Sequence, residues 1–343
     1  MNWHSGPVVS ALVAFAGAAV LSGAVCLLAR RYRWMDHPSH RGSHDRPTPT
    51  LGGLAIVMVF FLTTWVVVGS LSPVAAVLPA LSVGALLVAV IGWVDDLRPL
   101  PIAPRLGVHF AAIALVLWAC GGLHTISVGL LVFELPPWAQ VLVLIAMVWF
   151  VNLFNFMDGV DGIAASEAVF VAGCAAIFCW SDGQRDLAVI WGALGGAAAG
   201  FLVWNWAPAR LFMGDIGSGF LGFVVASLLV ISINSGAISL ATALALVSVF
   251  VVDATWTLVR RFFRGERWYS GHRTHAYQRL ARRWGSHARV AAAVTALNVL
   301  VVAPTAWVIE SQPSLAAASL SLLITLLVGL AVAAGAGRSE QIG

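Results

Sequence analysis

Long apolar stretches follow one another along most of this chain, and short polar segments separate them. Each has about 17–23 residues, and roughly 20 residues of helix, at a rise of about 1.5 Å each, cross a hydrocarbon core of about 30 Å. They lie near residues 7–29, 51–70, 74–94, 105–122, 138–155, 163–181, 187–204, 217–233, 237–258, 290–309 and 314–334. Only 10% of the residues are charged, against about 25% in soluble domains. The sequence therefore predicts an all-α, polytopic integral membrane protein with about eleven transmembrane helices, or ten.

The basic residues are spread unevenly over alternate loops. All 19 are arginine, and if the loop after the first span is cytoplasmic, 18 of the 19 lie at cytoplasmic loops, span ends or the C-terminal tail. Only Arg185 then lies outside, as the positive-inside rule predicts. The leading segment MNWHSGP lacks the basic region of a cleaved signal peptide. We therefore expect an uncleaved first helix, an outer N-terminus and a cytoplasmic C-terminus, and the net charge of +4 indicates no nucleic-acid partner.

Polar residues concentrate in the predicted cytoplasmic loops, near 30–50, 95–104, 152–162, 205–216 and 259–289. No loop is long enough to fold alone, so residues 1–343 are interpreted as one transmembrane domain. The four cysteines lie within spans without a CxxC pair, which predicts small buried side chains rather than a disulfide or zinc framework.

The loop at 152–162 begins with a regular polar pattern. Asn152, Asn155, Asp158 and Asp161 follow at steps of three, which brings such residues to one face of a helix. An acid at a span centre costs about 2.5–3.5 kcal/mol, and less near the interface. Packing alone does not explain such a set, so these residues are predicted to have a function.

Two further acidic segments are predicted to lie at the same face. Asp95 and Asp96 end the third span, and Asp215 lies between Gly214 and Ser218 in the turn that opens the eighth span. Adjacent carboxylates repel each other unless a cation intervenes, and helix N-termini bind phosphate. The alternatives are helix capping and simple solvation.

Together, acids from three loops favour Mg²⁺, with Mn²⁺ as second choice, because Mg²⁺ binds through one or two carboxylates plus substrate phosphates. The predicted substrate is a nucleotide-linked or lipid-linked pyrophosphate.

The first and fifth loops supply positive charge around these acids. Arg41 and His44 lie beside a stiff proline- and glycine-rich turn, and Arg264, Arg273 and His275 lie in the long basic segment of the fifth loop. The alternative, contact with anionic lipid, holds for several of these arginines. His272 with His275 suggests a metal pair only weakly, and the state of Asp253 stays open.

In chain order, these motifs resemble the polyprenyl-phosphate N-acetylhexosamine-1-phosphate transferases. That family includes the undecaprenyl-phosphate GlcNAc-1-phosphate transferase and the phospho-MurNAc-pentapeptide translocase. The matching features are Asp36-x-Pro38-x-x-Arg41-x-x-His44-x-x-Pro47-x-Pro49-x-x-Gly52-Gly53, the Asp95-Asp96 pair, Asn152-x-x-Asn155-x-x-Asp158-Gly159-x-Asp161-Gly162 and Phe212-Met213-Gly214-Asp215-x-Gly217-Ser218. The resemblance implies Mg²⁺-dependent transfer of HexNAc-1-phosphate from a UDP-sugar to undecaprenyl phosphate, with release of UMP, in the cytoplasmic (inner) membrane.

The resemblance also implies roles for individual residues. The implied catalytic residues are Asp95, Asp96, Asp215 and His275, of which the three acids also bind metal. The implied substrate-binding residues are Arg41, His44, Asn152, Asn155, Asp158, Asp161, Gly214, Ser218, Arg264 and Arg273. Asp95 and Asp96 would position or deprotonate the lipid phosphate. Since a phosphate monoester has a second pKa of about 6, positioning is the more economical role.

One departure bears on the branch of the family. Arg273-x-His275 matches, but Tyr277 and Gln278 stand where the family often has two further histidines. This argues against transfer of phospho-MurNAc-pentapeptide in peptidoglycan synthesis. It favours the O-antigen-initiating branch, whose donors carry GlcNAc, FucNAc or QuiNAc and whose product begins lipopolysaccharide O-antigen.

Three other classes compete with this interpretation. An ion-coupled transporter would spread polar groups through the membrane depth, whereas here only Asp253 is placed deeper. A CDP-alcohol phosphotransferase would need an arginine that DGVDGIAAS lacks. A non-catalytic scaffold has no use for these acids. The sequence leaves open the sugar, a homodimer and an aspartyl-phosphate intermediate.

Overall fold

The structure, a computed structural model, describes residues 6–37, 46–67, 73–266 and 272–338. These residues form fourteen α-helices: α1 (Gly6–Tyr32), α2 (Gly53–Val67), α3 (Leu78–Leu97), α4 (Ile102–Ala119), α5 (Ala139–Met157), α6 (Ile163–Ser181), α7 (Arg185–Asn205), α8 (Asp215–Asn234), α9 (Leu240–Leu246), α10 (Ser248–Phe263), α11 (Ala276–Trp284), α12 (His287–Leu297), α13 (Ala303–Ser311) and α14 (Ala316–Ala334). Two antiparallel strand pairs join them, β1 (Met35–Asp36) with β2 (Thr48–Pro49) and β3 (Thr125–Val128) with β4 (Leu131–Glu134). The prediction of a helical membrane protein is confirmed.

Within the described ranges, nine helical stretches are long and apolar enough to cross a membrane. They are α1, α3 to α8, His287–Ser311 and Pro313–Ala334. The pair α9 and α10 would be a tenth, bent by 73°, and α2 is a shorter apolar helix. Every predicted span overlaps one of these elements. The number of crossings and the orientation stay predictions.

Two parts of this fold were not predicted. The ninth predicted span is broken at Val247, between α9 and α10. The long basic loop contains α11, whose sequence AYQRLARRW has alternating apolar and basic groups that suit a surface helix. The predicted loop thus supplies an ordered wall beside the helix bundle.

Glycines let α1 and α7 pack at close range. Gly192, Gly196 and Gly200 recur every four residues on α7, and a Cβ on Gly196 would collide with the backbone carbonyl of Ala11 on α1. The other two glycines meet α1 carbonyls in the same way. Small residues at this spacing let backbones approach each other in membranes, where no hydrophobic effect drives helices together.

The alanine variant of Gly196 tests this packing. We expect Gly196→Ala to lower the free energy of unfolding in detergent by about 1–3 kcal/mol, because the added methyl overpacks the interface. Gly173→Ala on α6 is the matched control, since no atom lies within 4 Å of a Cβ there. Equal melting temperatures for the two variants would contradict this account.

One buried acid within a span was missed by the sequence analysis, which placed only Asp253 at depth. Glu167 on α6 is 1% exposed, and its Oε2 accepts a hydrogen bond of 2.6 Å from Asn298 Nδ2. Asn298 begins a π-helical turn, Asn298–Val302, between α12 and α13. This polar contact fastens α6 to the last helices.

Candidate active site

A polar pocket of about 370 Å³ lies at one end of the bundle. The pocket is bordered by β1, by the ends of α3, α5 and α7, by the starts of α8 and α12, and by α11. Six of the predicted site residues line it: Asp96, Asn155, Asp158, Asp161, Gly214 and Asp215. The structure therefore brings together acids from three loops, as the sequence predicted.

A carboxylate from α3 closes the N-terminus of α8. Asp96 accepts the backbone N–H of Asp215 at 2.8 Å and that of Ile216 at 3.1 Å. Gly214, just before α8, has φ 73°, and a Cβ there would lie 2.6 Å from Asp96 Oδ2. Asp96 therefore occupies two of the N–H groups that a helix start could otherwise offer to a phosphate. For Asp96, the helix-capping alternative is what the structure shows.

Arg105, on the first turn of α4, links two of the predicted catalytic acids. Its Nη1 pairs with Asp95 Oδ2, and its Nη2 lies 3.1 Å from Asp215 Oδ2. Asp95 Oδ1 also accepts the backbone N–H of Leu100 at 2.6 Å. Arg105 was not among the residues predicted from the motifs. Its signal was a lone arginine opening an apolar span a few residues after the acidic pair.

Asp158 follows the last residue of α5 and adds a further negative charge to the pocket wall. Burial raises the pKa of Asp158 well above its usual value, and the nearby carboxylates of Asp215, Asp161 and Asp96 raise the pKa further. A carboxylate crowded in this way favours a bound cation or its own protonation.

The variant Asp158→Asn tests this crowding. A raised native pKa means that the folded protein binds more protons than the unfolded chain above the ordinary pKa of aspartate, so this group lowers stability as the pH rises. We therefore expect Asp158→Asn without metal to raise the free energy of unfolding by about 0.5–2 kcal/mol, more at pH 7.5 than at pH 5. Thermal unfolding with EDTA measures this. A stability loss, or a gain that is equal at both pH values, would contradict the expectation.

Asp161 and Asn205 hold the turn between α5 and α6 against the segment after α7. Asp161 Oδ2 accepts the N–H of Ala209 at 3.0 Å, and its Oδ1 lies 3.2 Å from His287 Nδ1. Asn205 Oδ1 accepts the N–H of Gly162 at 3.0 Å. Asn205 and His287 line the pocket, although no motif in the sequence predicted them.

Two predicted substrate-binding residues have partners inside the bundle instead. Asn152, one turn before Asn155, donates to the carbonyl of Val148 at 2.7 Å and lies 3.4 Å from His109 Nδ1. Ser218 is 1% exposed, and its hydroxyl donates to the carbonyl of Gly214 at 3.2 Å. Neither is among the pocket residues, because both point into the helix packing.

His275 is also outside the pocket lining. It is 2% exposed at the N-cap of α11, and its Nδ1 lies 3.7 Å from Asp253 Oδ1. His272 contacts Thr274 at 3.0 Å, and burial, with His275 and Arg261 nearby, lowers the pKa of His272 to about 3. These histidines thus belong to the base of α11 in this structure.

The arginines of the fifth loop fasten the residues that follow α14. Arg264 donates to the carbonyl of Gly337 and lies 3.3 Å from Glu266. Arg260 donates to the carbonyl of Ala336 at 3.1 Å, and Arg279 donates to the carbonyl of Arg338 at 3.5 Å. We call residues 336–338 with these arginines the C-terminal latch.

Arg273, another predicted substrate-binding residue, is not among the described residues that line the pocket. The carbonyl of Arg273 accepts a hydrogen bond from Arg282 at 2.7 Å, on the side of α11 beside the latch. Arg41 and His44 lie outside the described residues.

The donor set suits Mg²⁺, although the described residues contain no group of three or more His, Cys, Asp or Glu side chains that could hold a metal alone. Mg²⁺ usually keeps waters and binds through one or two carboxylates plus substrate phosphates, so a complete protein cage is not required. Asp215 fits best among the predicted ligands, because it lines the pocket and Arg105 orients it. The carboxylate oxygens of Asp95 and Asp96 already accept hydrogen bonds from backbone N–H groups or from Arg105.

Fold and site together define a multi-pass helical membrane protein with a carboxylate-rich pocket at the helix ends. The model of glycosyl transferase family 4 matches residues 78–233, which include α3 to α8.

Curated relatives agree with that match. A probable undecaprenyl-phosphate N-acetylglucosaminyl 1-phosphate transferase of Bacillus subtilis is 27% identical over 311 residues, covering 89% of this chain and 85% of the relative. A phospho-N-acetylmuramoyl-pentapeptide-transferase of Geobacillus kaustophilus is 32% identical over 251 residues, 66% and 75% of the two chains. A decaprenyl-phosphate N-acetylglucosaminephosphotransferase of Mycobacterium leprae is 29% identical over 300 residues, 78% and 75%.

The chain belongs to glycosyl transferase family 4. The family predicted from the motifs is thereby confirmed, and two of the relatives are named as transferases that use undecaprenyl or decaprenyl phosphate. Relatives of both the HexNAc and the MurNAc-pentapeptide type match.

Proposed function

We propose that this protein transfers HexNAc-1-phosphate from a UDP-sugar to undecaprenyl phosphate and releases UMP. The observation that carries the proposal is the pocket in which Asp96, Asp158, Asp161 and Asp215 converge beside Arg105. The similarity to transferases of both types supports it. The reaction takes place at the cytoplasmic side of the inner membrane and initiates lipopolysaccharide O-antigen or a related surface glycan.

The reaction is a displacement at phosphorus. An oxygen of undecaprenyl phosphate forms a bond to the sugar-bearing phosphorus of the donor, and the bond from that phosphorus to the bridging oxygen breaks, so that UMP leaves. The lipid phosphate has a second pKa of about 6 and is mostly dianionic at neutral pH. Proton removal by Asp95 or Asp96 therefore contributes little, and placement of the reacting groups is their main task.

Different pocket residues position the metal ion and the two substrates. Asp96 fixes the start of α8, which carries Asp215. Arg105 pairs with both Asp215 and Asp95 and so fixes their positions relative to each other. Asp215, with Asp158 nearby, would hold Mg²⁺, and the bound ion would supply positive charge for the pyrophosphate and the leaving group. Asn155 and Asp161 present polar groups for the nucleotide.

The donor type is inferred from the two residues of α11 that lie nearest the Asp158 turn. Gln278 lines the pocket where the resemblance expects histidine, and Tyr277 lies beside it. This departure supports a HexNAc donor of the GlcNAc, FucNAc or QuiNAc type over the MurNAc-pentapeptide donor.

A donor panel tests the proposal. Purified protein is given undecaprenyl phosphate and Mg²⁺ with UDP-GlcNAc, UDP-GalNAc, UDP-FucNAc, UDP-QuiNAc or UDP-MurNAc-pentapeptide, and UMP is measured. We expect release with a HexNAc donor, and none when Mg²⁺ is replaced by EDTA. Release with the MurNAc-pentapeptide donor alone would overturn the branch and keep the chemistry. No release from any donor by folded protein would overturn the transferase proposal and favour the ion-coupled transporter.

A further inference from the structure

The start of α11 is anchored to α10 by a single carboxylate. Asp253 accepts the backbone N–H of Ala276 at 2.8 Å and that of Tyr277 at 3.1 Å. The hydroxyl of Thr257 donates to the same side chain at 3.2 Å. His275 stacks on Tyr277 with 5.8 Å between ring centroids. Asp253 therefore holds the backbone of Tyr277, and His275 packs against its ring.

Tyr277 extends from this anchor to the turn that carries Asp158. Its hydroxyl donates to the carbonyl of Phe156, in the last turn of α5, at 2.8 Å. Gly159 lies so close that a Cβ there would collide with the hydroxyl oxygen. Tyr277 is 2% exposed, so water does not compete for this hydrogen bond.

The hydroxyl has a role that packing does not require. A buried ring at this position could be phenylalanine, because the ring alone fills the space, whereas a buried hydroxyl must find a partner. Burial, with Asp253 and Asp158 nearby, raises the pKa of Tyr277 well above its usual value, so the phenol keeps its proton and stays a donor.

We propose that Tyr277 is a positioning residue that holds the Asp158 turn in its place in the pocket. The effect on catalysis rests on the proposed transferase function, whereas the contact itself does not. Asp253 sets the start of α11, Tyr277 transmits that position to the carbonyl of Phe156, and the next two residues bring Asp158 to the pocket wall. Gly159 is small because the hydroxyl of Tyr277 needs the space.

The test uses Tyr277→Phe, Gly159→Ala and the double variant, with Tyr32→Phe as the matched control. Tyr32 is 59% exposed and stacks on Trp34, and neither residue is among those that line the pocket. Hydrogen exchange of the peptide covering 156–162 and UMP release are measured on each purified protein. Exchange reports the contact without any need for activity.

For Tyr277→Phe, we expect faster exchange at 156–162 and a fall of about ten-fold in kcat/KM for the UDP-sugar, the factor that loss of one buried hydrogen bond gives. Tyr32→Phe should match the unmodified protein. Gly159→Ala should lower activity strongly alone but by less than about three-fold when Tyr277→Phe is already present, because residues in contact are not additive.

Two results would overturn the proposal: unchanged exchange at 156–162 in Tyr277→Phe, or losses from the two substitutions that simply multiply. If the unmodified protein releases no UMP while Tyr277→Phe still loosens this peptide, the proposed function fails and the Tyr277 contact stands. The two failures are thus distinguishable.

Discussion

Asp215→Asn is expected to lower UMP release by about two to three orders of magnitude, the range found when one charge-stabilising group is removed from an active site. Asparagine keeps the size and the start of α8, but it removes the charge that faces Arg105 at 3.1 Å. It also removes the strongest candidate ligand for Mg²⁺. The measurement is UMP release over a range of Mg²⁺ concentrations.

Asp182→Asn is the control for this prediction. Asp182 is an exposed acid that follows α6, at the opposite end of the bundle from the pocket, so its loss should leave UMP release unchanged. If Asp215→Asn retained full activity while folding normally, this pocket would not be the catalytic site.

Arg105→Gln is expected to lower UMP release by about 100-fold, because two preorganised carboxylates lose the cation that separates and orients them. Asp95 and Asp215 would then repel each other without the guanidinium between them. Arg105→Lys keeps one positive charge but not the fork that contacts both acids, so we expect an intermediate loss of about ten-fold. Steady-state kinetics with saturating Mg²⁺ separate the three proteins.

Arg98→Gln is the matched control in the same loop. Arg98 is exposed just after α3, and its loss should change activity little, since exposed charges contribute little. If Arg98→Gln and Arg105→Gln had equal effects, the general positive charge of the loop would matter rather than the Arg105 bridge.

Span length and motif order were sufficient to predict the fold class and most of the pocket residues. An apolar run of about 20 residues has few alternatives to a membrane helix. The acids near 96, 158 and 215 lie at span ends, so the alternation of spans was enough to bring them to one face.

What the sequence could not give depends on contacts between distant residues. The capping of α8 by Asp96 joins positions 119 apart, and no local pattern encodes that pairing. The three-residue spacing placed Asn152 with Asn155, but helix α5 ends at Met157, so only its last turn reaches the pocket. The roles assigned to Arg264 and His275 came from the resemblance, and here tertiary packing gives both other partners.

The C-terminal latch has a consequence for how the protein is made. Helix α11 brings Gln278 to the pocket, and the arginines before and within that helix donate to carbonyls at 336–338. A nascent chain inserts its helices from the N-terminus onward, so the pocket acids, the last of which is Asp215, are in the membrane well before those carbonyls are synthesised. The contacts of the C-terminal latch therefore form only after α14 has been synthesised, later than every acid of the pocket has entered the bundle.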